Sequence, residues 1–418
     1  MTAATGAAAS LVSALAVATP PVTTPPVTTP PVPAPIVFMG LLGWDSHNAE
    51  ELQLVCQMAR RGHPVVYLAP LGVRDPGPRG LGDGLRRLRR RAPRRRLPPG
   101  VHPAALAVLP GRTFGPIAQL NQHLVRWRLA AVLRSAAVAR PILWLRLPTP
   151  ELVDGIDALR PRAVVYERID DYAAYPQYAA ADRDRLRRYE ERLVARADLV
   201  ITLTATVAER LPPRASPSCR TCVVPLGVDL DSFGRPPGPV PPDLARLPRP
   251  RLGVVAGLDE RVDLDLLAHL AAAEPGWSVV LVGPAPAVRR DRAPPPVPPN
   301  VHLLGRKPYE LVPEYLAGLD VCLIPYRRTR WTEGCFPAKL LEYLASGRPV
   351  VATDLPALAP YATVVDLAPD AAGFLAACRR AVLDADPTRV ARRRAVAAAG
   401  SLHARCATLD ELLGSLPA

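Results

Sequence analysis

The sequence predicts an α/β protein built from two Rossmann-like, doubly wound parallel-sheet domains facing across a cleft. Three observations lead there. Short apolar runs alternate with helical stretches of about a dozen residues, which is the unit of a parallel sheet. A proline-rich interruption at 235–250 divides that alternation into two series. In the second series, apolar runs end repeatedly in glycine.

Residues 1–35 stand outside the pattern. They are mostly Ala, Thr, Val and Pro, with a PPVTT repeat from Pro20. Proline has a fixed φ and no amide donor, so this reads as a disordered, extended tail. Ala16-Val17-Ala18 resembles a cleavage site, yet no Lys or Arg precedes Arg60. A secretion signal needs a basic start, so the tail reading is preferred.

The first domain is expected over 36–235. Ile36 to Met39 form a buried run ending in Gly40, with Gly43 beyond it. In 50–61, Leu52, Val55, Cys56 and Ala59 recur at helical spacing, and Gly62 closes the helix. Strands are expected at 64–68, 101–109, 141–145, 163–166, 199–202 and 222–225, and helices at 117–139 and 183–197. The stretch 236–250 is expected as a linker. The second domain, 251–385, repeats strands at 252–257, 278–283, 301–305, 321–325 and 349–353, with a helix at 263–273. From 371 the chain reads as helical, with 386–418 a helical segment able to pack back on the first domain.

Gly257, Gly283 and Gly305 end three strands of the second domain. Ligands of open parallel sheets bind beyond the carboxyl ends of the strands, and glycine there admits a close backbone approach. The most informative stretch is 325–353, PYRRTRWTEGCFPAKLLEYLASGRPVVAT. A helix is expected over 336–346, with Pro337 near its start and Gly347 ending it. Its amino end suits a diphosphate. Lys339 in the first turn adds charge, and Glu342, three residues on, shares its face and can accept hydrogen bonds from a ribose diol. The plain alternative is an ion pair on an amphipathic helix. Lys339 and Lys307 are the only lysines among 52 cationic residues, so a compact point charge is retained at these two positions.

This stretch resembles the second-domain signature of the retaining GT-B glycosyltransferase family 4, within it the branch related to teichuronic-acid biosynthesis transferases. Further matching pieces run in order along the chain: Gly43-Trp44-Asp45, YERIDDYAAYP at 166–176, Ala197 to Val200, VPLGVD at 224–229 with Phe233, GLDERVD at 257–263, and Val282-Gly283-Pro284. The likeness covers roughly 36–390. It implies a GT-B fold, retention at the anomeric carbon, and Glu342 as the donor-ribose ligand. The chain departs from the pattern where Gly334 takes the place of the first motif glutamate, with Glu333 one residue off. Leu258, Asp259 and Glu260 replace a basic pair after Gly257, and Leu226 replaces an asparagine. Diphosphate charge therefore falls to Lys339, then to Arg327, Arg328 and Arg330, with Tyr326 and Pro337 in the same donor site.

In the first domain, Gly43, Trp44 and Asp45 follow the first strand, where Trp44 can stack on a sugar face. Asp170 and Asp171 follow a buried strand, with Arg168 adjacent. Neighbouring carboxylates split in pKa and leave one as a base; the alternative is a helix cap. We assign Asp170, Asp171 and Lys339 to catalysis, and Gly43, Trp44, Asp45 and Arg168 to the acceptor.

The reading is of an enzyme that moves a sugar from a nucleotide-sugar co-substrate to a glycan or lipid-linked acceptor in cell-surface polysaccharide synthesis. No other cofactor and no metal are expected. Asp-x-Asp pairs are frequent enough here to be uninformative, and Cys219-Arg-Thr-Cys222 has no second ligand pair. The alternatives are a nucleotide-sugar epimerase of the same fold and a basic nucleic-acid binder. Residues 36–235 carry 31 arginines against 19 acids, densest in the run from Arg86 to Arg96 (RRLRRRAPRRR). That run lacks interleaved aromatics, which favours an anionic membrane over nucleic acid. Seven cysteines without a framework suit the cytoplasm, peripheral to the inner membrane face. No apolar run reaches 18 residues, so no membrane-spanning helix is expected.

Overall fold

The computed structural model describes residues 33–41, 49–69, 71, 98–106, 108–112, 114–213, 219–284 and 298–417. Residues 1–32 of the expected tail, Gly43, Trp44, Asp45 and the run from Arg86 to Arg96 lie outside the described residues, whereas the tail's last residues belong to the fold: Ala34 is buried, and its amide donates to His63 at 3.2 Å. The chain divides into two compact units. One holds the described residues through Val224 together with Arg405 onward; the other holds Pro225–Ala404.

The N-terminal unit is a seven-stranded sheet. Its strands are β1 (Ile36–Met39), β2 (Val65–Leu68), β3 (Val101–Ala104), β4 (Ile142–Leu145), β5 (Ala163–Arg168), β6 (Leu199–Thr202) and β7 (Arg220–Val223). Their order is β3-β2-β1-β4-β5-β6-β7, and every pairing is parallel. β1, β2, β4, β5 and β6 are buried along their whole length, as near-continuous apolar runs demand. Helices α1 (Ala49–Arg60), α2 (Gly115–Ser135), α3 (Pro150–Val153), α4 (Ala180–Val194) and α5 (Ala205–Glu209) connect them. α1 starts with Glu50 and Glu51 and ends with Arg60, in accord with the helix dipole. Val125, Leu129 and Leu133 of α2 share one buried core cluster with Leu143, Leu145 and Val164.

The C-terminal unit repeats the plan with six strands: β8 (Arg251–Val255), β9 (Ser278–Val282), β10 (Val301–Gly305), β11 (Val321–Ile324), β12 (Val350–Thr353) and β13 (Asp366–Ala368). Their order is β10-β9-β8-β11-β12-β13, again parallel throughout. Its helices are α6 (Leu230–Phe233), α7 (Pro242–Ala245), α8 (Leu264–Ala273), α9 (Val312–Gly318), α10 (Arg330–Gly334), α11 (Lys339–Ser346), α12 (Ala371–Val382), α13 (Pro387–Ala399) and α14 (Leu402–Gly414), the last running across the division between the units.

Both sheets reverse strand order once, between β1 and β4 and between β8 and β11. Each reversal is a topological switch point, where the connections depart to opposite sides and leave a crevice at the carboxyl ends.

Several boundaries differ from the sequence expectation. The stretch 236–250 is not a bare linker. α7 buries Leu244 completely, and Asp243 accepts from Tyr315 at 2.8 Å and pairs with Lys307 at 2.7 Å. Lys307 thus serves packing within its unit. α11 starts at Lys339, so Pro337 precedes the helix instead of opening it. β13 was not expected, because a three-residue edge strand with an aspartate in it has no apolar run to announce it.

Candidate active site

At the switch point of the C-terminal unit, the loop leaving β8 crosses to the loop leaving β11. Asp263 N–H donates to the Pro325 carbonyl at 2.7 Å and Arg327 N–H to the Arg261 carbonyl at 2.7 Å, and Val262 forms a bridge with Tyr326. This cross-tie sets Arg261 against the β11 loop. Its guanidinium bonds Asp259 (Nη2 to Oδ2, 2.6 Å) and lies 5.7 Å from the Tyr326 ring centroid and 5.1 Å from that of Trp331. Its Nη1 is 3.6 Å from the Cys335 sulfur, just ahead of α11. Burial lowers the proton affinity of Arg261, but the Asp259 hydrogen bond and the neighbouring charges outweigh it, so the net shift is upward and the cation is permanent.

α11 follows. Its N-cap, Ala338, offers no side-chain acceptor, and the Leu340 amide donates to the Pro337 carbonyl at 2.9 Å. Lys339 Nζ lies 3.1 Å from Glu342 Oε2 and 5.7 Å from the centre of the Tyr309 ring. Tyr309 donates its hydroxyl to Glu342 Oε1 at 2.9 Å. Glu342 is only 8 % exposed, yet it sits in the first turn between two polar partners. Its Oε2 accepts no hydrogen bond and is held by the Lys339 charge alone. A buried carboxylate oxygen of this kind has capacity for a donor group.

The other expected donor residues separate from this cluster. Arg327 turns to Asp265 (2.8 Å) and Asp263 (3.3 Å), and Arg328 to Asp354 (3.6 Å) and the Pro369 carbonyl (3.4 Å). The ring of Tyr326 carries Arg261. The three glycines have three different reasons. Gly283 has φ +155°, and a Cβ there would strike the Ala256 carbonyl. Gly305 has φ +71° and makes a left-handed turn. A Cβ would meet open space at both Gly257 and Gly305, but only at Gly257 is the backbone not left-handed. At Gly283 and Gly305 the backbone conformation by itself accounts for the glycine.

In the N-terminal unit, the switch point is filled by charge. Arg146, just past β4, donates to Glu167 (Nε to Oε2, 2.8 Å; Nη2 to Oε1, 3.1 Å) and reaches Glu50 and Glu51 at 3.3 Å each. Arg405 donates to Glu167 at 2.5 Å and also pairs with Glu50. Trp144 donates to Glu167 at 2.8 Å, and Glu51 accepts from the Tyr67 hydroxyl. Burial pushes the Glu167 carboxyl up, but Arg146 and Arg405 outweigh it and hold it below the usual range. Gly40 is required by this packing: a Cβ would collide with Glu51 and Tyr67.

Arg168 is buried and committed to structure. It grips Glu190 (2.7 and 3.1 Å) and the Val207 carbonyl (3.0 Å), which removes it as an acceptor ligand. Asp170 accepts from the Asp171 amide (2.9 Å) and the Tyr175 hydroxyl (3.1 Å). Asp171 N-caps the short turn Tyr172–Ala174 by position and faces Arg168 (3.4 Å) and Arg210 (3.9 Å). Both are buried in local contacts, the arrangement of a structured turn more than of a poised base.

Residues 249–384 match the Glycosyl transferases group 1 family. The C-terminal unit carries a group 1 glycosyl transferase domain. Over 153 residues the chain is 31 % identical to the proposed teichuronic acid biosynthesis glycosyltransferase TuaH of Bacillus subtilis (strain 168). That match spans 35 % of this chain and 38 % of TuaH, so the chain covers well under half of this relative. Solved structures share the fold over 91 % of the chain. Sucrose-phosphate synthase of Thermosynechococcus elongatus has a TM-score of 0.65 at 17 % identity, with 98 % of it covered. HepE of Anabaena in complex with UDP has 0.60 at 16 %, with 100 % covered. The E. coli trehalose-6-phosphate structure bound with UDP-2-fluoro glucose has 0.62 at 14 %, with 99 % covered. The fold is GT-B, as the two parallel sheets indicated.

Within this domain the structure brings the expected Lys339 and Glu342 together and adds Tyr309 beside them, while Arg261 lies on the neighbouring loop. Tyr309 lies 33 residues from Glu342, beyond any local pattern. Arg261 was legible only as the first cation after Gly257. A cavity of about 840 Å³ lies at the opposite end of α11, lined by Phe233, Arg235, Gly347, Arg348 and Arg394. It contains none of these site residues. Among the described residues, no cluster of three or more His, Cys, Asp or Glu is arranged to hold a metal.

Proposed function

We propose that this chain transfers a sugar from a nucleoside-diphosphate donor to a glycan or lipid-linked acceptor in cell-surface polysaccharide synthesis. The observation that carries the reading is the cluster that Lys339 and Glu342, in the first turn of α11, form with Tyr309, inside the matched domain. Breaking a sugar–phosphate bond builds charge on the leaving diphosphate. A fixed cation and the amino end of a helix stabilise that charge without reorganising, commonly the largest catalytic contribution. In this reading Lys339 takes the phosphate side and Arg261 adds a second, immobilised cation. Glu342, released from Lys339 by the incoming diphosphate, accepts from the ribose hydroxyls. Two structures of similar fold hold uridine diphosphate or its sugar, so UDP is the first nucleotide to test.

Retention and independence of metal are further parts of the proposal, supported by the resemblance and by a charge set made of side chains. A cytoplasmic location is supported by seven free cysteines.

The test is Glu342→Ala, assayed for transfer from a panel of nucleotide sugars and for UDP binding by calorimetry. Loss of both with an unchanged melting curve is expected. Near-normal transfer by the variant overturns the assignment. Product analysis without acceptor separates transfer from epimerisation.

A further inference from the structure

We propose that the outward face of α2 docks on an anionic lipid surface. Among the described residues eight large hydrophobic side chains are exposed, and four of them gather at this one helix: Phe114 (62 %), Leu120 (47 %), Leu124 (38 %) and Trp127 (66 %). Single exposed apolar residues need no explanation, but a cluster marks an interaction face. The helix already has its core side in Asn121, Val125, Leu129 and Leu133. Among the described residues it is therefore apolar on a second face that its own unit does not cover.

At 3.6 residues per turn, Leu120, Leu124 and Trp127 fall within an arc of about 60°, with Phe114 just before the helix. Arg128 and Arg134, both exposed, border the arc on opposite sides. The third arginine, Arg126, is turned to the Asp154 carbonyl at 2.9 Å. The 21 residues of α2 contain no Asp or Glu.

An apolar stripe of Leu, Trp and Phe on a helix that carries exposed arginines and no acid is the composition of a helix that lies in a membrane interface. Its indole takes the headgroup level, and its arginines meet anionic lipid. A protein partner would more commonly meet a rim of both signs. The docking assignment rests on no part of the transferase reading.

The experiment is vesicle co-sedimentation of the full chain. One set of vesicles is phosphatidylcholine alone; the other is equal parts phosphatidylcholine and phosphatidylglycerol. The wild type is expected to sediment with the anionic set and to show a blue shift in tryptophan fluorescence. Leu124→Ser with Trp127→Ser should weaken sedimentation by about tenfold or more and abolish the shift. Arg128→Gln with Arg134→Gln should remove the preference for anionic vesicles. These positions are exposed, so melting curves should not move. Sedimentation of the serine pair at the wild-type level would overturn the assignment and give the binding to the run from Arg86 to Arg96. Absence of wild-type sedimentation would overturn it as well. UDP calorimetry on the same variants should be unchanged; if the wild type fails to bind UDP, the donor reading falls and the docking result stands.

Discussion

Glu167→Gln tests whether the charge cluster at the first switch point is architecture or chemistry. The Glu167 carboxylate receives four donors. Oε2 takes Trp144 and Arg146 Nε, both at 2.8 Å; Oε1 takes Arg146 Nη2 at 3.1 Å and Arg405 at 2.5 Å. A glutamine keeps one acceptor oxygen and sets an NH₂ against two donors, whichever way the amide is turned. It also leaves two buried guanidiniums with only Glu50 and Glu51 opposite them. Breaking a buried ion pair costs about 3–5 kcal/mol. At about 2–4 °C per kcal/mol for a unit of this size, the melting temperature should fall by about 6–20 °C.

The pH dependence has a definite sign. Because Arg146 and Arg405 hold the folded carboxyl below its usual range, its stabilisation is fully present above the unfolded value, about 4.3, and is lost as pH falls through the folded value. The gap between wild type and variant should therefore be wide at neutral pH and narrow in acid. Near-UV circular dichroism of Trp144 across that range, with UDP calorimetry alongside, measures both. We expect destabilisation with nucleotide affinity unchanged. A variant that melts with the wild type yet transfers no sugar would refute the structural assignment and make Glu167 a participant in the reaction.

Two further outcomes follow from the site. Arg261→Ala should weaken UDP binding by about 10–100-fold, the range for a lost charge-assisted hydrogen bond, whereas Arg327→Ala should change it little because Asp263 and Asp265 already engage that side chain. Equal losses by calorimetry would return Arg327 to the phosphate. Gly283→Ala should cost about 1–3 kcal/mol in urea unfolding, since φ is +155° and a Cβ meets the Ala256 carbonyl, while Gly257→Ala should leave the unfolding midpoint in place. An unshifted midpoint for Gly283→Ala would refute the steric reading.

The strands were legible because a strand covered on both faces must be apolar along its length, and runs such as Ile142 to Leu145 cannot be mistaken for surface. The expected start of α11 was three residues early, since Phe336, Pro337 and Ala338 are compatible with a helix by composition, while the regular helix begins at Lys339. β13 was missed for want of an apolar run. In the site, Lys339 and Glu342 could be paired from their spacing of three. Asp170 and Asp171 looked like a catalytic pair for the same local reason, and the fold gives them turn and ion-pair partners instead.

By itself the sequence determined what depends on near neighbours: the α/β class, two parallel sheets, the break between two series, and a lysine and a glutamate sharing the first turn of one helix. Tertiary structure decided which charges meet. Arg405 reaches Glu167 across 238 residues, and Tyr309 reaches Glu342 across 33. Arg261 is aimed by a cross-tie between two loops. Periodicity reports which face of an element is apolar, but the partner of a buried charge is chosen by how the connections cross, and that is recorded only in three dimensions.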